Sequence, residues 1–317
     1  MRRVLWVVGW VGVLLGAIGV GAHFSGLVSN IATRIASFTP VLIGVGLIGL
    51  ILLLVARAWM SAAVAAVVVA VGLGSQAPLY AGVDEQVSAS DLTVMQANIF
   101  LGEADAASLV ARVREADVDV LTVIELTPEA TAGLERAGLR EVLPFAFVNP
   151  RDGGSGAGIY ARASLTDGRV LDRMRHSNLH ARLSIPGREP LSVYALHPLP
   201  PYPEPSWRWD AELRELRSVL SADQDPLVSG ADFNSTYDHR PFRALLSGSD
   251  ADDSPELTDA AEYLGSGIVP TYPADRPYPA VLALDRVLTR NGPTPTSLRR
   301  FEIAGSDHHG VIATVRY

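Results

Sequence analysis

The sequence contains no cysteine, and all of its 26 basic residues are arginine, because lysine is absent as well. Without a thiol the chain cannot form a disulfide, a zinc–thiolate site, an iron–sulfur cluster or a cysteine nucleophile. The missing cysteine leaves the compartment open, since a cysteine-free chain suits either side of a membrane. A composition of 48% hydrophobic and 19% charged residues also excludes a mostly disordered chain.

The first 83 positions contain no acidic residue, and their charged side chains are four arginines. The whole chain has a formal charge of −8, so residues 84–317 carry −12. Three apolar runs fill the acid-free part, at 4–22, 35–56 and 58–74. Each is close to the roughly 20 residues that a helix needs to cross the hydrocarbon core of a bilayer. The sequence therefore predicts a membrane module over residues 1–80 with three transmembrane helices.

Arg57 separates the second run from the third. A single helix over residues 41–74 would be about 50 Å long, well beyond a core of roughly 30 Å. Arg57, with Trp59 beside it, therefore indicates a tight hairpin at the membrane interface. The alternative for the first run is a cleaved signal peptide, because Val20 and Ala22 suit the −3 and −1 positions. The later runs would hold the protein in the membrane in either case.

The flanking arginines predict the orientation. Arg2, Arg3 and Arg57 fall on one side of the three predicted spans, and Arg34 falls on the other. Because basic residues in short loops favour the cytoplasm, we expect a multi-pass protein of the cell membrane with everything after the third span outside the cytoplasm. Residues 81–90, rich in small and polar side chains, are predicted to be a linker.

From residue 91 onward the pattern is that of alternating strands and helices. Runs at 92–97 and 118–124 suit buried strands, with a helical pattern at 105–116 between them, and 207–220 is the clearest helix. Further strands are predicted at 145–148, 158–161, 181–185, 191–196, 226–229, 282–288 and 310–315. Many strands with few helices predict two packed sheets or one mixed sheet, in a single domain over 91–317.

Polar residues interrupt or end these strands where a core strand would not place them. They are Asn98, Glu125, His197, Asp232, Asn234, Asp285, Asp307 and His308. A carboxylate at the end of a buried strand is costly unless it meets a cation or hydrogen-bond donors. Asp232 and Asn234 are separated by one residue, so both side chains leave an extended chain on the same side. The pattern indicates a polar site at the strand ends.

Taken singly, most of these residues suit ordinary strand ends, loops or Asx-turns. Glu125 also suits the position just before a helix, because Thr127 is a good N-cap in front of Pro128. His308 and His309 are adjacent, and only one of them is expected to point into a site. Their joint occurrence in this order favours the functional interpretation.

Three other features have plainer interpretations. The glycine-rich stretch 153–158 lacks the Lys-Ser/Thr and the helix of a phosphate-binding loop, so it predicts a hairpin turn. The acidic run 250–256 lacks the spacing of an EF-hand and predicts a solvated loop. A basic cluster either contacts a phosphate or forms a solvated strand face; its members are Arg173, Arg175, His176, His180 and Arg182.

In this order, the strand-end residues resemble those of the endonuclease/exonuclease/phosphatase, or DNase I-like, superfamily. The resemblance covers nearly all of residues 91–317, and the three apolar runs resemble a membrane-anchored bacterial branch of it. Ala231 stands where the family's Gly-Asp-Phe/Leu-Asn box has glycine, and Arg286 stands where many relatives have histidine. The resemblance implies a four-layer α/β sandwich of two packed mixed sheets.

The resemblance also implies a metal-dependent enzyme that hydrolyses a phosphodiester or a phosphomonoester. The expected cofactor is Mg²⁺ or Mn²⁺, a hard cation that neutralises charge developing on phosphoryl oxygens. Glu125 is the implied main ligand, with Asn98 and Asp307 near the same metal.

The implied catalytic residues have separate roles. Asp232 would align or deprotonate the attacking water, and Asn234 would donate to a phosphoryl oxygen. His308, oriented by Asp285, would carry a proton or stabilise the transition state. His197 would donate to the phosphate or to the leaving group.

The substrate class stays open among nucleic acid, lipid-linked and small-molecule phosphoesters. Tight binding of duplex DNA needs a basic stripe, whereas residues 84–317 carry −12 and no lysine, so a lipid-linked or small phosphoester is favoured over nucleic acid. The alternative from another class is a non-catalytic binding or sensor domain on a membrane anchor. That alternative predicts lost ligands, but all of the family's positions are filled.

Overall fold

A computed structural model describes residues 1–247 and 257–317, so the acidic run 250–256 lies outside the described residues. Four helices form an N-terminal bundle: α1 (Arg2–Ser25), α2 (Asn30–Ser37), α3 (Thr39–Val55) and α4 (Trp59–Gln76). Among the described residues, α1 and α4 are each long and apolar enough to cross a membrane. The pair α2 and α3 qualifies only as one span bent by 66°, which makes two or three candidate spans.

The second apolar run is thus not the single straight helix that the sequence pattern suggested. Pro40 lies in the first turn of α3. Because proline has no backbone N–H and its ring clashes with the preceding turn, α2 cannot continue through it. The expected break at Arg57 is present, since α3 ends at Val55 and α4 begins at Trp59.

Within the bundle, α1 packs closely against α3 through glycines. Gly12 and Gly16 of α1 face Gly49 and Gly46 of α3, and a Cβ built on Gly49 would lie only 2.6 Å from the Gly9 carbonyl oxygen. Small residues that allow such close approach are typical of helix pairs in lipid. Most of the exposed large hydrophobic side chains of the described residues also belong to this bundle.

The rest of the described chain forms two six-stranded mixed sheets. The first has the order β11-β12-β1-β2-β4-β3, and the second has the order β5-β6-β7-β8-β10-β9. The strands are β1 (Leu92–Asn98), β2 (Val120–Ile124), β3 (Phe145–Asn149), β4 (Ala157–Ala161), β5 (Ser164–Val170), β6 (Leu179–Ser184), β7 (Leu191–Leu196), β8 (Leu227–Asp232), β9 (Thr258–Asp259), β10 (Asp285–Arg290), β11 (Thr294–Glu302) and β12 (His309–Arg316). The helices are α5 (Ala106–Glu115), α6 (Pro128–Arg136), α7 (Leu139–Val142), α8 (Ser206–Ala222), α9 (Arg240–Leu246) and α10 (Ala260–Tyr263).

The sheets pack face to face, and helices cover their outer faces. Valines and alanines of both sheets fill the space between them. Residues of α5, α6 and α7 pack on the outer face of the first sheet, and α8 and α9 pack on the second. This is the predicted four-layer sandwich of two mixed sheets, here called the sandwich (residues 92–317).

Three strands had no counterpart in the sequence pattern: β5, β11 and the two-residue β9. β5 and β11 are edge strands with many polar or exposed residues, so neither shows the apolar run of a buried strand. The expected strand at 282–288 begins later, at Asp285. The helix that Thr127 was expected to cap is present as α6, and the Thr127 side chain accepts a hydrogen bond from the Ala130 N–H.

The bundle is docked on the sandwich through buried polar contacts. His23 and Gln76, near the ends of α1 and α4, both contact Asp238 Oδ1, at 2.7 and 2.8 Å. His239 Nε2 lies 3.0 Å from the Thr33 carbonyl oxygen of α2. Asp238 and His239 belong to the loop that follows β8. The orientation of the bundle and the position of this loop are therefore mechanically linked.

The protonation of His239 follows from its partners. Its Nδ1 accepts a hydrogen bond from the Thr236 N–H at 3.0 Å, so its Nε2 carries the proton and donates to Thr33. Burial lowers the pKa of His239 to about 4, which keeps the ring neutral at physiological pH. A neutral ring matches the one acceptor and one donor that the contact requires.

Candidate active site

The two sheets bring the polar strand ends to one edge of the sandwich. β1 and β2 are parallel, as are β7 and β8. In each pair, the segments that follow the two strands therefore begin side by side at the same edge of the sheet. β10 runs antiparallel to β8, and its first residue, Asp285, pairs with Asp232, the last residue of β8. β12 runs antiparallel to β1, which places the preceding His308 beside the end of β1. Residues from six strand ends therefore meet.

Glu125, directly after β2, has an unusual backbone. Its φ is 60°, a left-handed conformation that costs a non-glycine residue about 1–3 kcal/mol. This turn carries the carboxylate to the end of β1, where Oε1 accepts from Asn98 Nδ2 at 3.0 Å and Oε2 accepts from the Leu101 N–H at 2.7 Å. Gly154, also at positive φ, comes close enough that a Cβ would lie 3.2 Å from Oε2.

Asn98 is fully buried and links two carboxylates. Its Nδ2 donates to Glu125 Oε1 and to Asp232 Oδ2, at 3.0 and 3.2 Å. Its Oδ1 accepts from the Phe100 N–H at 3.0 Å. Asn98 thus holds the two acids at a fixed separation, and its implied role as a metal ligand stays a prediction.

Asp232 lies at the centre of the group and is 1% exposed. Its Oδ1 accepts from the Asn234 N–H at 2.8 Å, the Asx-turn that the spacing allowed. Its Oδ2 lies 3.9 Å from His197 Nε2 and 3.7 Å from His308 Nε2. The Asn234 side chain donates to the Pro198 carbonyl oxygen at 3.1 Å and reaches the same cleft.

His308 forms a buried pair with Asp285, whose Oδ2 lies 2.7 Å from His308 Nδ1. Burial opposes the charged imidazolium, but Asp285, Asp232 and Asp307 together outweigh it and raise the pKa of His308 to about 10. His308 is therefore protonated at neutral pH and presents Nε2–H towards Asp232. His308 lines the cleft, whereas His309 begins β12 and is not among the lining residues.

The residues around Glu125 fit a divalent cation. Asp307 Oδ1 is buried and has no hydrogen-bond partner among the described residues. Burial, together with the nearby Glu125 carboxylate and against the opposing effect of His308, raises the pKa of Asp307 to about 6. A buried carboxylate oxygen without a donor, beside a second carboxylate, is what a hard cation such as Mg²⁺ or Mn²⁺ satisfies.

A second group of possible ligand atoms lies close by. One ligand atom each of Asp232, Asp285 and His308 falls within 4.8 Å of the others. However, His308 is protonated and already bonded to Asp285, and an imidazolium cannot bind a metal. The oxygen-rich side at Glu125 and Asp307 is the better place for a cation.

A cleft of about 440 Å³ is lined by six of the predicted site residues: Glu125, His197, Asp232, Asn234, Asp307 and His308. Asn98 and Asp285 are not among its lining residues. The cleft also includes residues outside the predicted set of catalytic and metal-binding residues: Arg34, Phe38, His176, Tyr202 and Tyr272. His176 packs against His197 with 4.5 Å between ring centroids, and burial lowers the pKa of His176 to about 3. Tyr272 packs against His308 at 4.8 Å.

His176 was part of the basic cluster, and the structure separates the members of that cluster. Arg173 pairs with Glu215, and Arg182 pairs with Asp225. Only His176 of the cluster lines the cleft. A histidine in an arginine-rich stretch was the one available signal for it, and that signal did not distinguish His176 from its neighbours.

Solved structures with this fold come from animals and bacteria. The chain superposes on D. rerio TDP2 complexed with a single-strand DNA product, with a TM-score of 0.58 and 20% identity over 72% of this chain and 100% of that one. An endonuclease/exonuclease/phosphatase from Beutenbergia cavernae gives a TM-score of 0.52 and 20% identity over 71% of each chain. One from Bacteroides vulgatus gives a TM-score of 0.54 and 13% identity over 72% of this chain and 99% of that one. At these identities the likeness shows the fold.

The family of this chain is shown by comparison of its sequence with models of protein families. No curated protein matches the chain significantly. The model of the endonuclease/exonuclease/phosphatase family matches residues 95–308, which is most of the sandwich and more than half of the chain. Members of this family are hydrolases that act on phosphoester bonds. With this match, and with strand-end acids and histidines gathered in one cleft, the chain belongs to the endonuclease/exonuclease/phosphatase family.

Proposed function

We propose that this protein is a membrane-tethered, divalent-metal-dependent phosphoesterase whose sandwich lies outside the cytoplasm. One observation carries the proposal: the His308–Asp285 pair faces Asp232 at 3.7 Å in the cleft that also contains Glu125 and Asp307. An imidazolium, an acid able to accept a proton and an oxygen-rich cation site together match the needs of phosphoryl transfer.

Each residue has a role that its surroundings support. Asp232 is held by two donors and aligns or deprotonates the attacking water. His308 stabilises negative charge on the phosphoryl group or passes its Nε2 proton to the leaving oxygen, and Asp285 orients the ring and stabilises the imidazolium. His197 and Asn234, at the ends of neighbouring strands, donate to the phosphate.

Glu125 and Asp307, with Asn98 between Glu125 and Asp232, would hold the cation. When bound, Mg²⁺ or Mn²⁺ supplies Lewis-acid neutralisation of charge on the phosphate. The raised pKa of Asp307 means that this acid cluster takes up protons readily while it lacks a positive partner.

The membrane assignment rests on the bundle and its arginines. α1 and α4 end at the sandwich, where His23 and Gln76 contact it. Arg57 lies at the opposite end, because α3 runs antiparallel to α1 from its contact at Thr39 with Gly19. With Arg2 and Arg3 also at that far end, the positive-inside rule places the far end in the cytoplasm and the sandwich outside.

A reporter fusion tests this topology. A reporter that is active only outside the cytoplasm should be active when fused after Val83 and silent when fused after Arg57. A matched reporter that is active only in the cytoplasm should give the reverse pattern. If the Val83 fusion were silent and the Arg57 fusion active, the sandwich would be inside, and an intracellular phosphoester would become the better substrate.

For the substrate, we propose a lipid-linked or small phosphoester ahead of nucleic acid. Residues 84–317 carry −12 and no lysine, so the surface offers little to bind many DNA phosphates. The second candidate is an extracytoplasmic nuclease of the same fold, which is favoured by the likeness to a structure solved with a single-strand DNA product. A non-catalytic sensor on a membrane anchor is disfavoured because the acids and histidines of the cleft are all present.

The substrate proposal is tested by comparing kcat/KM with Mn²⁺ on plasmid DNA, a phospholipid and a sugar phosphate, at two salt concentrations. We expect kcat/KM to be higher for the phospholipid or the sugar phosphate than for plasmid DNA, and we expect kcat/KM to change little with salt. Rapid plasmid degradation that falls steeply with added salt would instead establish a nuclease, because phosphate contacts release counterions. No hydrolysis of any substrate would favour the sensor.

A further inference from the structure

The wall of the cleft includes a helix from the N-terminal bundle. Arg34, Ser37 and Phe38, in or just after α2, line the same cleft as Asp232 and His308. Among the described residues that line this cleft, Arg34 is the only lysine or arginine. In the described lining of the cleft, the guanidinium available to a phosphoester thus comes from the bundle and not from the sandwich.

Contacts at its start and in its middle fix α2 against the sandwich. At its start, Asn30 Oδ1 accepts from the Ser206 N–H at 3.0 Å, and Asn30 Nδ2 donates to the Glu204 carbonyl oxygen at 3.3 Å. Further along, His239 Nε2 contacts the Thr33 carbonyl oxygen at 3.0 Å. The helix is therefore held between the loop that follows β7 and the loop that follows β8, and those two loops carry His197 and Asn234.

Arg34 itself is poised at the rim. Its guanidinium lies 3.4 Å from the ring centroid of Tyr202, in the loop after β7. No carboxylate lies within 4.0 Å of the guanidinium among the described residues. Its partner is therefore an aromatic ring, which does not neutralise its charge as an acid would. A guanidinium held flat on a ring keeps its N–H groups free to bind a phosphate or carboxylate in bidentate fashion.

The surface beside Arg34 is apolar and continuous with the bundle. Ile31 and Phe38 stand three and four residues from Arg34 on the same side of the helix, and they are 73% and 42% exposed. α2 connects α1 to α3, at the end of the bundle that meets the sandwich. In the orientation proposed above, this places Ile31 and Phe38 at the surface of the bilayer, with Arg34 between the bilayer and the cleft.

We propose that α2 forms part of the substrate site and that Arg34 binds the anionic headgroup of a phosphoester carried by a membrane lipid. The inference rests on the proposed phosphoesterase function and narrows its substrate class. The acyl chains would stay in the bilayer beside Ile31 and Phe38 while the headgroup enters the cleft from the side of α2. Arg34 is thus a specificity-determining residue supplied by the membrane anchor.

Native mass spectrometry of the detergent-solubilised full chain tests the inference without requiring turnover. The chain is titrated with dioleoyl phosphatidic acid, with dioleoyl phosphatidylcholine, and with glycerol 3-phosphate, the same headgroup without acyl chains. We expect phosphatidic acid to bind most tightly. Arg34→Gln should weaken its binding by about tenfold, the loss of one charge-assisted contact. Arg34→Lys should retain part of that binding.

Arg3→Gln is the matched control, because it removes the same charge at the far end of the bundle, and it should leave phosphatidic acid binding unchanged. Equal weakening in Arg3→Gln and Arg34→Gln, or none in Arg34→Gln, would overturn the inference. So would glycerol 3-phosphate binding as tightly as phosphatidic acid. A thermal unfolding midpoint of Arg34→Gln close to that of the parent chain shows that the variant is folded. If the parent chain bound phosphatidic acid selectively but showed no metal-dependent hydrolysis, the proposed phosphoesterase function would be refuted and the lipid-binding site would still hold.

Discussion

Asp232→Ala should lower kcat by on the order of 10² or more, because Asp232 is the acid that two histidines and two hydrogen-bond donors converge on. Its carboxylate is 1% exposed, accepts from Asn98 and from the Asn234 N–H, and faces His197 and His308. Alanine removes the group that we propose aligns or deprotonates the attacking water. The measurement is steady-state hydrolysis of bis(p-nitrophenyl) phosphate by the full chain with Mn²⁺.

Removal of the metal should have a comparable effect. With excess EDTA the same assay should show no hydrolysis, and added Mn²⁺ should restore it. Asp117→Ala is the matched control, because Asp117 is an exposed acid paired with Arg162 and remote from the cleft, so its kcat should stay within about twofold. Full activity in EDTA, or in Asp232→Ala, would end the catalytic assignment.

His308→Ala should also lower kcat by on the order of 10² or more, whereas His309→Ala should have a much smaller effect. The two histidines are adjacent, but only His308 lines the cleft and bonds to Asp285. The pair is therefore a matched comparison within one chain. The reverse order of effects would mean that His309 is the functional histidine.

Asp285→Asn provides a readout that a purely structural role would not move. The carboxylates around His308 raise its pKa to about 10, so the imidazolium persists until the pH rises through that value. Asparagine removes the negative charge nearest to the ring, which lowers the pKa of His308. The alkaline limb of the kcat/KM profile should therefore move to lower pH in Asp285→Asn. An unchanged alkaline limb would contradict a role for protonated His308.

Much of the fold was predictable because its signals are local. Buried strands at 92–97, 118–124 and 191–196 were visible as apolar runs. The observed bounds differ by one residue for the first and two for the second, and they are identical for the third. The edge strands β5 and β11 gave no such signal, since they bury little and carry polar residues. The bend between α2 and α3 was also missed, because the run at 35–56 carries no charge and so has the composition of a single span, although it contains Pro40.

The sequence by itself determined which acids and histidines end the strands, because a polar residue that closes an apolar run is visible without any knowledge of the fold. It also determined the apolar N-terminal helices and the contrast in charge between the two parts of the chain, since residues 1–83 contain no acid and residues 84–317 carry −12. These features depend on residue type and short spacing alone.

Only the tertiary structure decided which residues share the cleft. Arg34 and His308 are separated by most of the chain, and they meet because α2 docks on the loops after β7 and β8. Tyr272 and His176 join them from segments with no pattern of their own. Proximity between distant segments is set by strand order, by sheet packing and by a few buried polar contacts such as that between Thr33 and His239. Strand order, sheet packing and such contacts depend on how whole surfaces fit together, and the periodicity of residues along the chain does not predict that fit.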